Sequence, residues 1–155
     1  MKRIESFEVD HSNLLEGIYE SRVDYVEDHP LTTYDLRLLK PNTELLDPKA
    51  IHTIEHIVAT YIRNSEIGKE VIYFGPMGCR TGFYMILSGN RTPKDIREFV
   101  IGAFLYVYNS HSIPGVSREE CGSYLEHNLQ EARLLAIKYV GILKDGNEKR
   151  YKYPK

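Results

Sequence analysis

The chain has 155 residues, 42% hydrophobic and 27% charged, with a formal net charge of −2 at pH 7. That length suits one domain with its own core, and the balance of polar and apolar residues excludes a disordered or collagen-like chain. No basic stripe offers an electrostatic footprint for nucleic acid, and no apolar run approaches the roughly 20 residues of a membrane helix.

At the N-terminus Lys2 and Arg3 are followed by Glu5 and Glu8 before any apolar stretch. This is not the pattern of a secretory signal, so a cytoplasmic protein is expected. In chain order, Thr32–Leu38 alternates loosely with period two and runs into the turn signal Pro41-Asn42, which predicts a strand carrying Arg37. Asp47-Pro48 supplies a cap and a first-turn proline for a helix over 48–65, with Ile51, Ile54, Ile57, Val58, Tyr61 and Ile62 at helical spacing. Val71–Phe74 and Gly82–Ser88 are β-rich runs around the turn Gly75–Arg80, which puts Cys79 at a strand mouth. Thr92-Pro93-Lys94-Asp95 predicts a cap with proline at the first helical position, followed by Ile96, Phe99, Val100, Ala103, Phe104 and Val107 on one face. Beyond Ile113-Pro114-Gly115 a polar stretch carries Cys121, and Asn128-Leu129-Gln130-Glu131 opens a last helix to about residue 143. Strands and helices alternate too irregularly for a doubly wound sheet. The expected fold is α+β, an antiparallel sheet covered by helices, in one compact domain over residues 1–155.

Two cysteines in a reducing compartment read as metal-binding or catalytic rather than bridged. His52 and His56, four residues apart, project from the same side of the predicted helix beside its apolar stripe, and Glu55 lies between them. Most such histidine pairs hold nothing. Here the adjoining acid gives the inverted form of the zincin arrangement, with the glutamate free to move protons. A third ligand is required, and Cys121, His127, Glu119, Glu120, Glu126 and Glu131 are open to that role. An isolated Cys79 would ordinarily be a small buried hydrophobe, but its Gly-Cys-Arg turn, with Arg80 or a bound metal as a nearby cation, favours a reactive thiolate.

Taken together, five blocks resemble the LuxS family in order and spacing over nearly the whole chain. They are Ile4–His11, Tyr34–Arg37 with Lys40-Pro41-Asn42, His52-Thr53-Ile54-Glu55-His56, Pro76–Tyr84 and Glu120-Cys121-Gly122. The resemblance implies one divalent metal ion per subunit held by His52, His56 and Cys121, with iron(II) the physiological ion and zinc or cobalt able to replace it. It implies S-ribosylhomocysteine as substrate, its carbonyl moved along the ribose before β-elimination releases homocysteine. The other product is the 4,5-dihydroxy-2,3-pentanedione that cyclises to the autoinducer-2 signal of quorum sensing, in a reaction of the methyl cycle. Two groups must then trade protons with different carbons of the sugar, and Cys79 and Glu55 fit those roles. Ser6, His11 and Arg37 match positions that contact ribose hydroxyls, and Arg63 matches a carboxylate-binding arginine. A homodimer with active sites at the interface is also implied.

Tyr73 stands where many relatives carry an acid suited to the substrate's amino group, and a phenol should hold an ammonium more weakly. His29, His111 and His127 read as ordinary polar residues and are assigned no role. Two competing readings remain. An inverted-zincin-like metallopeptidase would use His52, His56 and Glu55, with Glu126 or Glu131 as third ligand; a noncatalytic module would hold a structural metal with four protein ligands.

Overall fold

The computed structural model describes residues 2–154. Strand β1 (Gly17–Val26) turns at Glu27-Asp28 into β2 (His29–Arg37), and the left-handed backbone of Glu27, φ 54°, closes this two-residue turn. Only the first three residues of β1 are buried, so its far half needs no apolar alternation. The sequence accordingly did not announce this strand. β2 is the predicted strand, extended backwards to His29.

Helix α1 (Pro48–Arg63) begins as expected, with Asp47 Oδ2 accepting the amide of Ala50 at 2.9 Å. It stops two residues short of the predicted end because the amides of Asn64 and Ser65 fold back on Tyr61 and Ile62 in tight terminal turns. Strands β3 (Val71–Pro76) and β4 (Gly82–Ser88) form the expected hairpin around Cys79. The four strands make one antiparallel sheet in the order β1-β2-β4-β3.

Helix α2 (Arg97–Asn109) starts later than its sequence predicts. Thr92 and Asp95 do exchange side-chain-to-backbone bonds, at 2.8 and 3.3 Å, but the amides of Asp95 and Arg97 bond three residues back. The segment is thus a pair of tight turns, and the α-helical ladder opens only with the amide of Val100 on Ile96. Helix α3 (Leu129–Leu143) is capped by Asn128, whose Oδ1 accepts the amide of Glu131 at 3.0 Å.

Period-two alternation gives the sheet two unlike faces. Tyr34, Leu36, Phe74, Phe83, Met85 and Leu87 face the helices and pack with Ile54, Ile57, Val58, Phe104 and Tyr139 into one core. Their neighbours Thr33, Asp35 and Arg37 fall on the opposite face, yet they too are buried. The C-terminal segment contributes the cover. A 3₁₀ turn at Glu148–Tyr151 lies so close to β1 that a Cβ on Gly17 would sit 2.1 Å from the Arg150 carbonyl oxygen. Arg150 donates to the Glu16 carbonyl at 2.9 Å, and the buried Tyr139 hydroxyl donates to the Gly17 carbonyl at 2.7 Å.

That last bond joins α3 to β1 without water. Tyr139→Phe is expected to cost about 1–3 kcal/mol, because a buried carbonyl loses its partner while the packing stays. Urea unfolding should show a lower midpoint with an unchanged slope.

Candidate metal centre and thiol site

The apolar stripe of α1 fixes its rotation, with Ile51, Ile54, Ile57 and Val58 in the core, and this leaves His52 and His56 half-buried at its border. The loop after α2 brings Cys121 over them, 9% exposed, and the residue before the α3 cap adds His127. The Cys121 sulfur lies 3.4 Å from His52 Nε2, 3.8 Å from His56 Nε2 and 3.9 Å from His127 Nε2. One donor atom from each of the four lies within 4.8 Å of the others.

What aims the imidazoles is the hydrogen bonding at their far nitrogens. His52 Nδ1 donates to the Glu126 carbonyl at 2.8 Å and His56 Nδ1 to the Pro114 carbonyl at 2.9 Å. Carbonyls accept only, so both rings carry a proton on Nδ1, the tautomer whose Nε2 has a free lone pair for a ligand role. His127 Nδ1 stands 3.1 Å from Thr53 Oγ1. That hydroxyl gives its proton to the Lys49 carbonyl at 2.9 Å and accepts the Asn128 amide at 3.0 Å, so it accepts from His127 as well. Burial, reinforced by the neighbouring His52 and His56, holds the His127 imidazole below the usual histidine range, which keeps it neutral.

A thiol has one proton and can serve only one of the three nitrogens that face it, whereas a cation among them would engage all four donors. Neutral imidazoles with a thiolate suit a divalent first-row ion. Sulfur and nitrogen donors of a tetrahedral ion sit about 3.6 Å apart, a value that the His52 and His56 separations bracket. The residues therefore fit a metal.

His127 corrects the sequence reading, which left it open as a third ligand but finally assigned it no role. Its only local signals were its place six residues after Cys121 and next to the α3 cap. The glutamates open as third ligands are not in the cluster among the described residues. Glu126 instead gives its backbone oxygen to His52 and pairs its carboxylate with Lys49 at 3.6 Å. This removes the ligand set of an inverted zincin. Glu55 is half-buried on α1 between the two histidines.

Cys79 is an exposed free thiol on the β3–β4 turn. Arg80, one of the two cations expected there, turns away instead: its backbone is left-handed, φ 57°, and its Nε donates to the Leu46 carbonyl at 3.1 Å. The cation at Cys79 is Arg37, whose Nη1 reaches the sulfur at 3.7 Å and Thr81 Oγ1 at 2.6 Å, with Thr81 Oγ1 itself 3.1 Å from the sulfur. Arg37 is 3% exposed and grips Asp35 through Nε at 3.1 Å and Nη2 at 2.5 Å. Burial pushes the Asp35 carboxyl upward and the guanidinium pulls it back. Bidentate geometry keeps the pair ionised at neutral pH.

The other expected site residues are more scattered. Ser6 and Tyr73 line one cavity of about 270 Å³ on the outer sheet face, together with Ile4, Thr33 and Tyr84. His11 donates through Nδ1 to the Val9 carbonyl at 2.9 Å. Arg63 is exposed but ties two of its nitrogens to the carbonyls of Val71 and Ile72 at 3.3 and 3.2 Å, joining the end of α1 to β3.

His127 differs from the other two imidazoles of the cluster in being held by a side-chain hydroxyl rather than a backbone carbonyl. Cys121→Ser and His52→Ala are expected to lose the ion during purification. His127→Gln should keep it with affinity lowered about 10- to 100-fold, read by chelator competition.

A family model described as S-ribosylhomocysteinase (LuxS) matches residues 4–150. The chain is 49% identical to an S-ribosylhomocysteine lyase of Borreliella afzelii over 99% of its own length and all of the relative's. It is 43% identical to one of Finegoldia magna and 42% identical to one of Clostridium beijerinckii, each over 99% of both chains.

Proposed function

The chain belongs to the LuxS family of S-ribosylhomocysteinases, and from that premise we propose that it cleaves S-ribosylhomocysteine to homocysteine and 4,5-dihydroxy-2,3-pentanedione, the autoinducer-2 precursor. The observation that carries this reading is the convergence of His52, His56 and Cys121, from stretches nearly 70 residues apart, with Nε2 lone pairs facing the sulfur. We assign these three as metal ligands, with His127 at an exchangeable position. An ion there supplies Lewis acidity toward the sugar's carbonyl and hydroxyl oxygens. Iron(II) is our assignment, with zinc or cobalt able to replace it, since imidazole and thiolate accept all three.

The reaction rearranges protons and needs no oxidant. Each isomerisation takes a proton from the carbon beside the carbonyl and returns one to the old carbonyl carbon, while a hydroxyl proton moves between oxygens. β-Elimination then removes a proton beside the final carbonyl and expels the homocysteine thiolate, which is reprotonated. Cys79 is the base for the isomerisation, with the Arg37 guanidinium and the Thr81 hydroxyl placed against its sulfur to stabilise negative charge there. Glu55 moves protons at the later steps. Ser6 and His11 hold ribose hydroxyls, Arg63 the substrate carboxylate, and Arg37 orients the sugar from beside Cys79. Tyr73, on the rim of the outer-face cavity, meets the amino group by a hydrogen bond only.

Residues 1–155 form one catalytic unit that pairs as a homodimer with its active sites at the interface. Ile4 and Tyr73, 55% and 48% exposed beside that cavity, supply apolar surface for a second subunit. No helix among the described residues is long and apolar enough to cross a membrane. Two free thiols agree with a cytoplasmic location.

Protein purified without oxygen should carry one metal ion per chain and release free thiol from S-ribosylhomocysteine. Cys79→Ala should abolish release and keep the ion; a fully active Cys79→Ala enzyme would end this reading. Tyr73→Asp is expected to lower KM by roughly 3- to 10-fold, since a charge-assisted bond is about twice as strong as a neutral one; an unchanged or higher KM removes the amino-group role.

A further inference from the structure

The Asp35–Arg37 pair lies on the sheet face away from the helices, where a buried charge needs cover and partners. Arg37 supplies two bonds to Asp35. The remaining side-chain donor comes from the C-terminal segment, where the Tyr153 hydroxyl donates to Asp35 Oδ2 at 2.8 Å. The Tyr153 ring lies flat on Tyr19, centroids 4.8 Å apart and planes 7° apart, and Tyr19 is fully buried. Burial and the Asp35 charge push the Tyr153 phenol upward, so at neutral pH it only donates to the carboxylate.

An unbroken chain of contacts follows: Tyr153 to Asp35, Asp35 to Arg37, Arg37 to Thr81 and Cys79. Oδ2 of Asp35 is shared between the phenol and Arg37 Nη2. Among the described residues that oxygen, without the phenol, has the guanidinium alone, which is drawn toward it and away from the sulfur. The carboxylate charge is also less spent by hydrogen bonding, and more of it opposes a thiolate at position 79.

We propose that Tyr153 is a positioning residue for Cys79, acting through the Asp35–Arg37 pair, so that the C-terminal segment is part of the device that activates the thiol. This rests on Cys79 being the reactive thiol.

The test uses the full chain and measures alkylation of Cys79 by iodoacetamide at one fixed pH near neutrality, with the modified peptide identified by mass. Tyr153→Phe keeps the ring stack and removes only the hydroxyl. Tyr151→Phe is the matched control, because the Tyr151 hydroxyl donates to the Leu143 carbonyl and accepts from Arg97, away from Asp35. Tyr153→Phe is expected to slow alkylation roughly 3- to 10-fold, with Tyr151→Phe within about twofold of the parent. The kcat for thiol release should fall with the alkylation rate, with any rise in KM, from the place of Arg37 beside the sugar, smaller than the fall in kcat. An unchanged rate in Tyr153→Phe, equal slowing in both variants, or a rise in KM alone overturns the assignment. Alkylation needs no substrate, so failure of the parent to cleave S-ribosylhomocysteine would count against the substrate reading alone.

Discussion

Everything chemical at the metal centre depends on where three imidazoles keep their protons. A histidine is a ligand only through a bare nitrogen, and here two backbone carbonyls and one threonine hydroxyl hold the Nδ1 protons of His52, His56 and His127. The carbonyls belong to the loops on either side of Cys121, at Pro114 and Glu126. The segment that delivers the sulfur therefore also orients the rings that face it. Thr53 adds the third tie from inside α1, where its fully buried hydroxyl serves Lys49, Asn128 and His127 together. Helix, loop and the start of α3 are one hydrogen-bonded unit, and the donor geometry is a property of that unit.

The second centre obeys the same logic with charge in place of tautomers. A guanidinium buried to 3% exposure would be costly alone. Asp35, two residues away on the same face of β2, neutralises it and accepts its fork in two places. The leftover donor direction is what points at Thr81 and Cys79. The register of the sheet sets this meeting, since Arg37 pairs with Gly82 and so lies beside the turn that carries the thiol. The left-handed backbone at Arg80, pinned through Leu46, fixes the other side of that turn.

Local patterns were readable where one residue type admits one explanation. Asp47-Pro48 and Asn128 mark helix starts because their side chains cap the same amides they suggest, and the stripe from Ile51 to Ile62 fixes which side of α1 the histidines take. The family blocks then supplied the ligand trio. The rest was hidden for specific reasons. β1 exposes most of its length and turns on Glu27-Asp28, which carries no glycine or asparagine signal. Thr92-Pro93 promised a helix start, but its reciprocal bonds close a tight turn instead. Arg80 adjoins Cys79 in sequence, whereas Arg37 reaches the sulfur from 42 residues away. His127 and Tyr153 matter through partners 74 and 118 residues distant, separations at which no periodicity speaks.

The separation of the donors along the chain also orders the protein's biogenesis. His52 and His56 leave the ribosome long before Cys121 and His127, so an ion cannot be fully enclosed until most of the polypeptide has been made. The large apolar core contains none of these four side chains, and it can form before any metal is acquired. The packing of sheet against helices is thus separable from the donor set, and an ion is no part of what holds the two layers together.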